Sequence, residues 1–305
     1  MKALLGIGLL LLFTACGTPA ISSSDQLARI NDQPIAVEQV ARLSADLTET
    51  SGLEVWNGQL VTHNDSGDGP SLYFLNEQGQ ETYRVTYLNL TAVDWEDIAQ
   101  DENYMYIADV GNNSGDRRDL TIYRLPVTEI LNTELVAETL GINYLDQTDF
   151  SRRDQNHGFD AESLVALNGE LYLFSKDWKD QNTQIYPIDQ LNPEQSLSPV
   201  ASYAVKGLIT GATHNQRGTI MLCGYDFNLN PFILPVKVEE DQFIFGKKRP
   251  LDIPGGAQAE AITYFKSDNG KDTYYISCEA FQIRLGEDEA QSNAYLFKFQ
   301  IPSED

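Results

Sequence analysis

Five stretches of the chain share one pattern of apolar and polar positions: a run of about five residues, a polar turn, then a run in which apolar and polar side chains alternate. They are ETSGLEVWNGQLVTHNDSG (49–67), VDWEDIAQDENYMYIADVGNN (93–113), FDAESLVALNGELYLFSKDW (159–178), LITGATHNQRGTIMLCGYDF (208–227) and AQAEAITYFKSDNGKDTYYISCEAF (257–281). Alternation with period two is the mark of half-buried strands, and the turns WNGQ, QDEN, LNGE, NQRG and SDNGKD carry the Gly, Asn and Asp that tight hairpins need. A third strand follows each hairpin: SLYFL, LTIYRL, TQIYPI, NPFILPV and NAYLFKF. A fourth follows in four repeats, as YRVTYLNL, LGINYL, VASYAV and RPLDI. The fifth repeat lacks one, whereas QVARLSADL (39–47) precedes the first repeat with no partner of its own. Lending that strand to the last sheet closes a ring. The pattern therefore predicts an all-β fold, a β-propeller of five four-stranded blades closed by an N-terminal strand. Six blades is the alternative, because residues 126–157 are long enough to hold further strands.

The N-terminus reads differently. MKALLGIGLLLLFTA, residues 1–15, has one Lys and then an apolar run too short for an ordinary membrane span, as in an export signal. Its end, FTAC, resembles the lipobox of bacterial lipoproteins, which implies that Cys16 becomes a lipidated N-terminus. Residues 16–37 are rich in Ser, Pro and Gln and read as a flexible tether, with the propeller domain spanning 38–305. The expected location is the bacterial cell envelope, with the membrane as a partner through the lipid anchor. Gly17 in place of Asp favours the outer membrane where there are two. A monomer is expected.

Charge narrows the partners. The chain has 45 acidic and 21 basic residues, a formal net charge of −24, and removing the leader deletes Lys2 and no acid. A surface of that sign repels phosphates, which excludes a nucleic-acid partner and suits cation binding. The other two cysteines, Cys223 and Cys278, fall mid-strand in different repeats at a spacing that matches no metal motif, and read as buried thiols or a bridge.

In a propeller, the connection leading into each innermost strand and the end of each second strand reach one face near the axis. The leading positions are Ser51, Glu96, Glu162, Thr210 and Glu260, with Glu49, Asp94, Asp160, Leu208 and Gln258 two residues earlier. The second strands end at Asn64, Asp109, Lys176, Tyr225 and Glu279. Carboxylates crowded in a funnel raise one another's pKa, and a bound divalent cation relieves the conflict. Oxygen donors suit Ca²⁺, or Mg²⁺, so Glu96, Glu162, Glu260, Asn64 and Asp109 are the predicted metal ligands, with Glu49, Asp94, Asp160, Lys176, Tyr225 and Glu279 lining the funnel. The competing reading makes these acids caps of strand ends and partners of Lys176, Arg117 or Arg118. His63 and His157 are the candidates for proton transfer, although alternation turns His63 away from Asn64 and toward packing between blades.

The stretches THNDSGDGPSLYFL, DWEDIA, YIADVGNNSGDRR and DAESL resemble a group of secreted bacterial propellers, over roughly residues 48–180. More distantly, the layout is similar to gluconolactonase- and paraoxonase-like propellers and to esterase-like propellers grouped with phytase. The resemblance to lactonase-type propellers implies an axial Ca²⁺-type ion held by Glu, Asn and Asp, at places comparable to Glu96, Glu162, Glu260, Asn64 and Asp109. The row of axial Asn residues of that pattern is absent. Two functions follow: a metal-stabilised propeller that binds a small-molecule or protein ligand at its funnel face, or a Ca²⁺-dependent hydrolase of esters, lactones or phosphoesters.

Overall fold

A computed structural model of the chain describes residues 33–240, 242–253, 257–285 and 288–303, with backbone alone at 282–285 and 288–290. The leader, Cys16 and the tether up to residue 32 lie outside the described residues. From Pro34 onward the chain forms one unit, and its described residues contain strands and no helix.

β1 (Ile35–Arg42) comes first and pairs with nothing near it in sequence. The first sheet is β2 (Thr50–Trp56), β3 (Gln59–Asn64), β4 (Ser71–Leu75) and β5 (Glu81–Thr86), all antiparallel. The second is β6 (Trp95–Gln100), β7 (Tyr104–Asp109), β8 (Thr121–Pro126) and β9 (Glu138–Tyr144). Next in the chain are β10 (Ala161–Leu167), β11 (Glu170–Ser175), β12 (Thr183–Ile188), β13 (Glu194–Leu197) and β14 (Ala201–Tyr203). β14 completes the third sheet, whereas β13 crosses back to pair in parallel with β9. The fourth is β15 (Leu208–His214), β16 (Thr219–Tyr225) and β17 (Pro231–Glu239), with β18 (Gln242–Phe245) as a side partner and β19 (Arg249–Asp252) outermost. Last come β20 (Ala259–Asp268), β21 (Lys271–Cys278), the hairpin of β22 (Phe281–Leu285) and β23 (Asp288–Ser292), and β24 (Tyr295–Pro302).

β1 is the missing strand of that last sheet, antiparallel to β24 from Val37↔Phe299 to Arg42↔Tyr295. It also touches β19 in parallel at Ile35↔Leu251 and Ala36↔Asp252. The strand starts four residues earlier than the pattern suggests, inside the stretch read as tether. Ile35 is buried beside Leu251, while Leu43 and Leu47 bury in the turn that leads to β2. Residues 126–157 contribute one strand beyond the end of β8, namely β9.

Alternating side chains of each sheet feed two different cores, as period two dictates. Val61, Phe74, Trp95 and Ile107 join the first and second sheets, and Tyr106, Ile122, Leu164 and Leu173 the second and third. Phe174, Ile185, Leu222 and Leu234 join the third and fourth, and Cys223, Ile233, Tyr274 and Ile276 the fourth and fifth. Leu60, Tyr73, Tyr275 and Leu296 join the fifth to the first, so the packing runs round a closed ring. This is the propeller arrangement, and it puts β2, β6, β10, β15 and β20 at the centre.

Those five strands are sheet edges facing the axis, so their inward N–H groups have no ladder partner. Asp97 supplies one. Its carboxylate accepts from the N–H groups of Ile98 (2.8 Å), Leu164 (2.8 Å) and Ala212 (3.3 Å), which belong to three different sheets. Gly52, Ser163, Gly211 and Ala261 hold the matching places in the other four strands, and they are small. A Cβ at Gly52 would lie 2.7 Å from the Ile98 nitrogen, so the backbone packing there requires glycine. Asp97, itself fully buried, fills the axis at this level.

Candidate ligand-binding funnel

Every innermost strand breaks register at the same place: Thr50/Leu53, Trp95/Asp97, Ala161/Ser163, Ile209/Gly211 and Ala259/Ala261. The irregularities take in Ser51, Glu96, Glu162, Thr210 and Glu260, the five positions aligned from sequence. A bulge re-aims a side chain relative to the strict alternation of its strand. Ser51, Glu96, Glu162 and Glu260 line a cavity of about 160 Å³ near the axis. Thr210 does not line it; its hydroxyl donates to the carbonyl of Ala259 in the next sheet, as the Ser51 hydroxyl does to that of Glu96.

The second wall is Asp65, Lys176, Tyr225 and Glu279, which leave the ends of β3, β11, β16 and β21. Here the sequence reading needs correction in two sheets. Register pairs Thr50 with Asn64, Trp95 with Asp109, Ala161 with Ser175, Ile209 with Gly224 and Ala259 with Cys278. The funnel residue is the next one along in each case, so Asp65 and Val110, not Asn64 and Asp109, are the counterparts of Lys176, Tyr225 and Glu279. A slip of one residue moves a strand's side chain to its other face.

Asn64 and Asp109 accordingly act as caps. The Asn64 amide donates to the Asp46 carbonyl (2.7 Å) and the Asp68 carboxylate (3.0 Å), and its oxygen accepts from Glu49 N–H (3.1 Å). Asp109 accepts from the Val93 and Asp94 N–H groups, both at 3.1 Å, and pairs with Arg117 at 2.9 Å. Neither lines the cavity. Glu49 accepts from the Ser66 hydroxyl at 3.2 Å. Asp160 accepts from Asn112 N–H (2.7 Å), Ala161 N–H (3.1 Å) and the Trp178 indole (2.8 Å), which fixes the Trp178 ring at the cavity. Asp94 and Glu96 crowd one side of Gly111, where a Cβ would overlap both carboxylates.

Lys176 is the buried cation of the site. Its ammonium lies 2.5 Å from both Glu162 oxygens and over the rings of Trp178 (4.6 Å) and Tyr225 (5.6 Å). Burial opposes that charge, yet Glu162 beside it holds the Lys176 pKa well above its ordinary value. The remaining acids lack a cation in direct contact, and burial and one another's charge outweigh the more distant help of Lys176 and Arg117. Burial first, then Glu162 and Asp94, push Glu96 well up. Burial, then Glu49 and Asp94, raise Asp65 to about 8. Burial, then Glu260 and Asp65, raise Glu279 to about 9. Burial, then Asp160, raises Asp94 to about 6. Glu96 is 4% exposed, opens on the cavity, and its carboxylate meets no hydrogen-bond donor among the described residues.

The histidines sit apart from the cavity. His63 is fully buried, edge-on to Trp95 at 5.5 Å, with Nδ1 on the Asn64 carbonyl, and burial lowers its pKa to about 4. His157 accepts the Phe159 N–H on Nδ1 (3.1 Å), so Nε2 carries the proton it gives to the Asn113 carbonyl (3.2 Å). It pins the loop of Asn113 to its own. Among the described residues, no three His, Cys, Asp or Glu side chains converge on one point that an ion could occupy. Cys223 and Cys278 are free buried thiols. Asp97 and Asp65 were missed in the sequence, although Asp97 is one acid in a row of small residues and Asp65 stands beside the selected Asn64.

No family model matches the chain, and no curated protein does. Solved structures do. The PQQ-bound aldose sugar dehydrogenase of Streptomyces coelicolor is similar with a TM-score of 0.50 at 10% identity, covering 87% of this chain and 98% of that one. A glucose dehydrogenase is similar with a TM-score of 0.46 at 12% identity, covering 86% and 98%. At such identities the likeness concerns the fold alone.

Proposed function

We propose that this chain is a ligand-binding propeller of the bacterial cell envelope, held to the membrane by lipid on Cys16, whose funnel takes a positively charged ligand. The observation that carries the reading is Glu96: a carboxylate 4% exposed, without a donor, opening on a cavity shared with Asp65, Glu260 and Glu279. Lys176 is bound to Glu162, so a further positive charge is what those acids lack. Neither His63 nor His157 lines the cavity, which favours binding over proton transfer by imidazole. Ca²⁺ or Mg²⁺ is one such cation, with Glu96, Asp65 and Glu279 among the oxygen donors that line the cavity.

The test is thermal melting with and without added cations. A ligand that binds only the folded state stabilises it by RT ln(1 + [L]/Kd), about 2.7 kcal/mol at one hundred times Kd. Glu96→Gln should reduce the gain in melting temperature, while Glu77→Gln, in a surface turn, should leave it intact. A melting temperature indifferent to Ca²⁺, Mg²⁺ and small ammonium compounds would refute the reading. The hydrolase alternative would use Asp65 and Glu96, two acids that line the cavity, as an acid and base pair. Turnover of esters, lactones or phosphoesters, lost with chelator, would establish it.

A further inference from the structure

The funnel is more specific than a negative hole. A metal ion needs several carboxylate oxygens on one point, and no three acidic groups meet that way among the described residues. An ammonium needs only acceptors spread around it, and it gains from an aromatic face. The protein's own ammonium, Lys176, sits in this manner on Glu162 and over Trp178. On the same cavity, Glu96 offers a second seat with no occupant from the protein, and Asp65 has one buried oxygen, Oδ1, with no partner.

The rim carries different chemistry. Asn113 and Gln155 line the same cavity, and neither side-chain amide has a partner among the described residues. Their backbones are locked together, since Gln155 N–H donates to the Asn113 carbonyl at 2.8 Å, which also accepts from His157. Gln155 is held at φ 52°, a left-handed conformation that a residue other than glycine adopts at a cost. Two neutral amides, each donor and acceptor, therefore line the same cavity as the acids, Gln155 exposed and Asn113 partly buried, with Trp178 fixed there by Asp160.

We propose that the funnel's ligand is a small hydroxylated amine, whose ammonium meets Glu96, Asp65 and Glu279 while Asn113 and Gln155 bond its neutral oxygens. This rests on the cationic-ligand reading and names the class of cation. The acids select the charge, and the two solvent-facing amides add hydrogen bonds that a bare ammonium has no oxygens to use.

Isothermal titration of the purified mature protein with glucosamine, glucose, ethylamine and CaCl₂ at fixed ionic strength and pH tests it. Glucosamine should bind about tenfold or more tighter than either glucose, which lacks the charge, or ethylamine, which lacks the hydroxyls. Glu96→Gln should weaken glucosamine by about tenfold or more, the worth of a charge-assisted hydrogen bond. Asn113→Ala should weaken glucosamine roughly two- to tenfold and leave ethylamine unchanged. Equal binding of ethylamine and glucosamine overturns the proposal, and so does binding of glucose at the strength of glucosamine. Binding of Ca²⁺ alone overturns it too, while leaving the cationic-ligand reading in place. If no cation binds the native protein, both fall.

Discussion

Asp97 ties three sheets together through three backbone N–H groups, and its removal measures how much the ring depends on that link. Asp97→Ala leaves the N–H groups of Ile98, Leu164 and Ala212 without this acceptor at a fully buried position. A buried donor left unpaired costs about 1–3 kcal/mol, so the three together cost about 3–9 kcal/mol. That is comparable with the entire folding free energy of an ordinary domain, about 5–15 kcal/mol. Asp97→Asn behaves differently. Its one oxygen can still serve Leu164 and Ala212, its amide then faces the Ile98 N–H, and the penalty of burying a charge disappears. The loss should be about 1–3 kcal/mol before that relief. At about 2–4 °C per kcal/mol, Asp97→Ala should lower the melting temperature by at least about 6 °C, and Asp97→Asn by clearly less. Calorimetry of the two variants beside the native protein decides. A melting temperature for Asp97→Ala within 2 °C of native, or an Asp97→Asn loss as large as that of Asp97→Ala, would refute the reasoning that acceptor count at the axis holds the sheets together.

The funnel acids predict that stability declines with pH. Folded-state values of about 6, 8 and 9 for Asp94, Asp65 and Glu279 lie above unfolded values near 4, so their contribution is complete below pH 4 and is lost as pH rises toward 9. Melting between pH 5 and pH 9 should therefore show a fall, reduced by a bound cation; a rise in stability over that window would contradict it. Lys176→Met leaves Glu162 as a buried charge without its partner, a loss of about 3–5 kcal/mol at pH 8 that shrinks at pH 5 as Glu162 takes up a proton. Equal losses at both pH values would mean that packing of the Lys176 stem, not its charge, matters. Deleting residues 35–42 strips β24 of its ladder partner and should abolish the cooperative melt, and an unchanged melting temperature would show closure by other contacts. Cys16→Ser should move the protein from the membrane to the soluble fraction; continued membrane fractionation together with an unlipidated N-terminus by mass spectrometry would reject the lipid anchor.

Much of the ring was legible because each repeat writes it out: two apolar-polar runs around a Gly- or Asn-bearing turn, five times over. The alternation in YMYIAD is visible in the molecule as Tyr106 in one core and Ile107 in the next. The closing strand was legible only as a residue count, one strand too few at the end and one too many at the start. Its limits were not, because Leu43 and Leu47 continue the apolar pattern while burying in a turn. β13 was hidden for a related reason. EQSL is short and polar, and it becomes a strand by lying along β9 of another sheet, a contact no local pattern announces.

The candidate site was half legible, and the bulges explain which half. Glu96, Glu162 and Glu260 hold one place at the head of the first strand of their repeats, so alignment of those strands finds them without knowing that they are bulged. The opposite wall had to be counted across an irregularity that leaves no mark in the sequence. In the third and fifth sheets the named residues, Lys176 and Glu279, lie one past the pairing position, whereas in the first two, Asn64 and Asp109, they lie on it. The error exchanged Asp65 for Asn64, and with it an acid facing the cavity for an amide that holds a loop. It also concealed the character of the site. With Asn64 and Asp109 as ligands the funnel resembles a metal cage; with Asp65 in their place the wall keeps Tyr225 and Lys176 and gains an acid, and the ammonium of Lys176 seated on Glu162 is the observation from which the amine proposal starts.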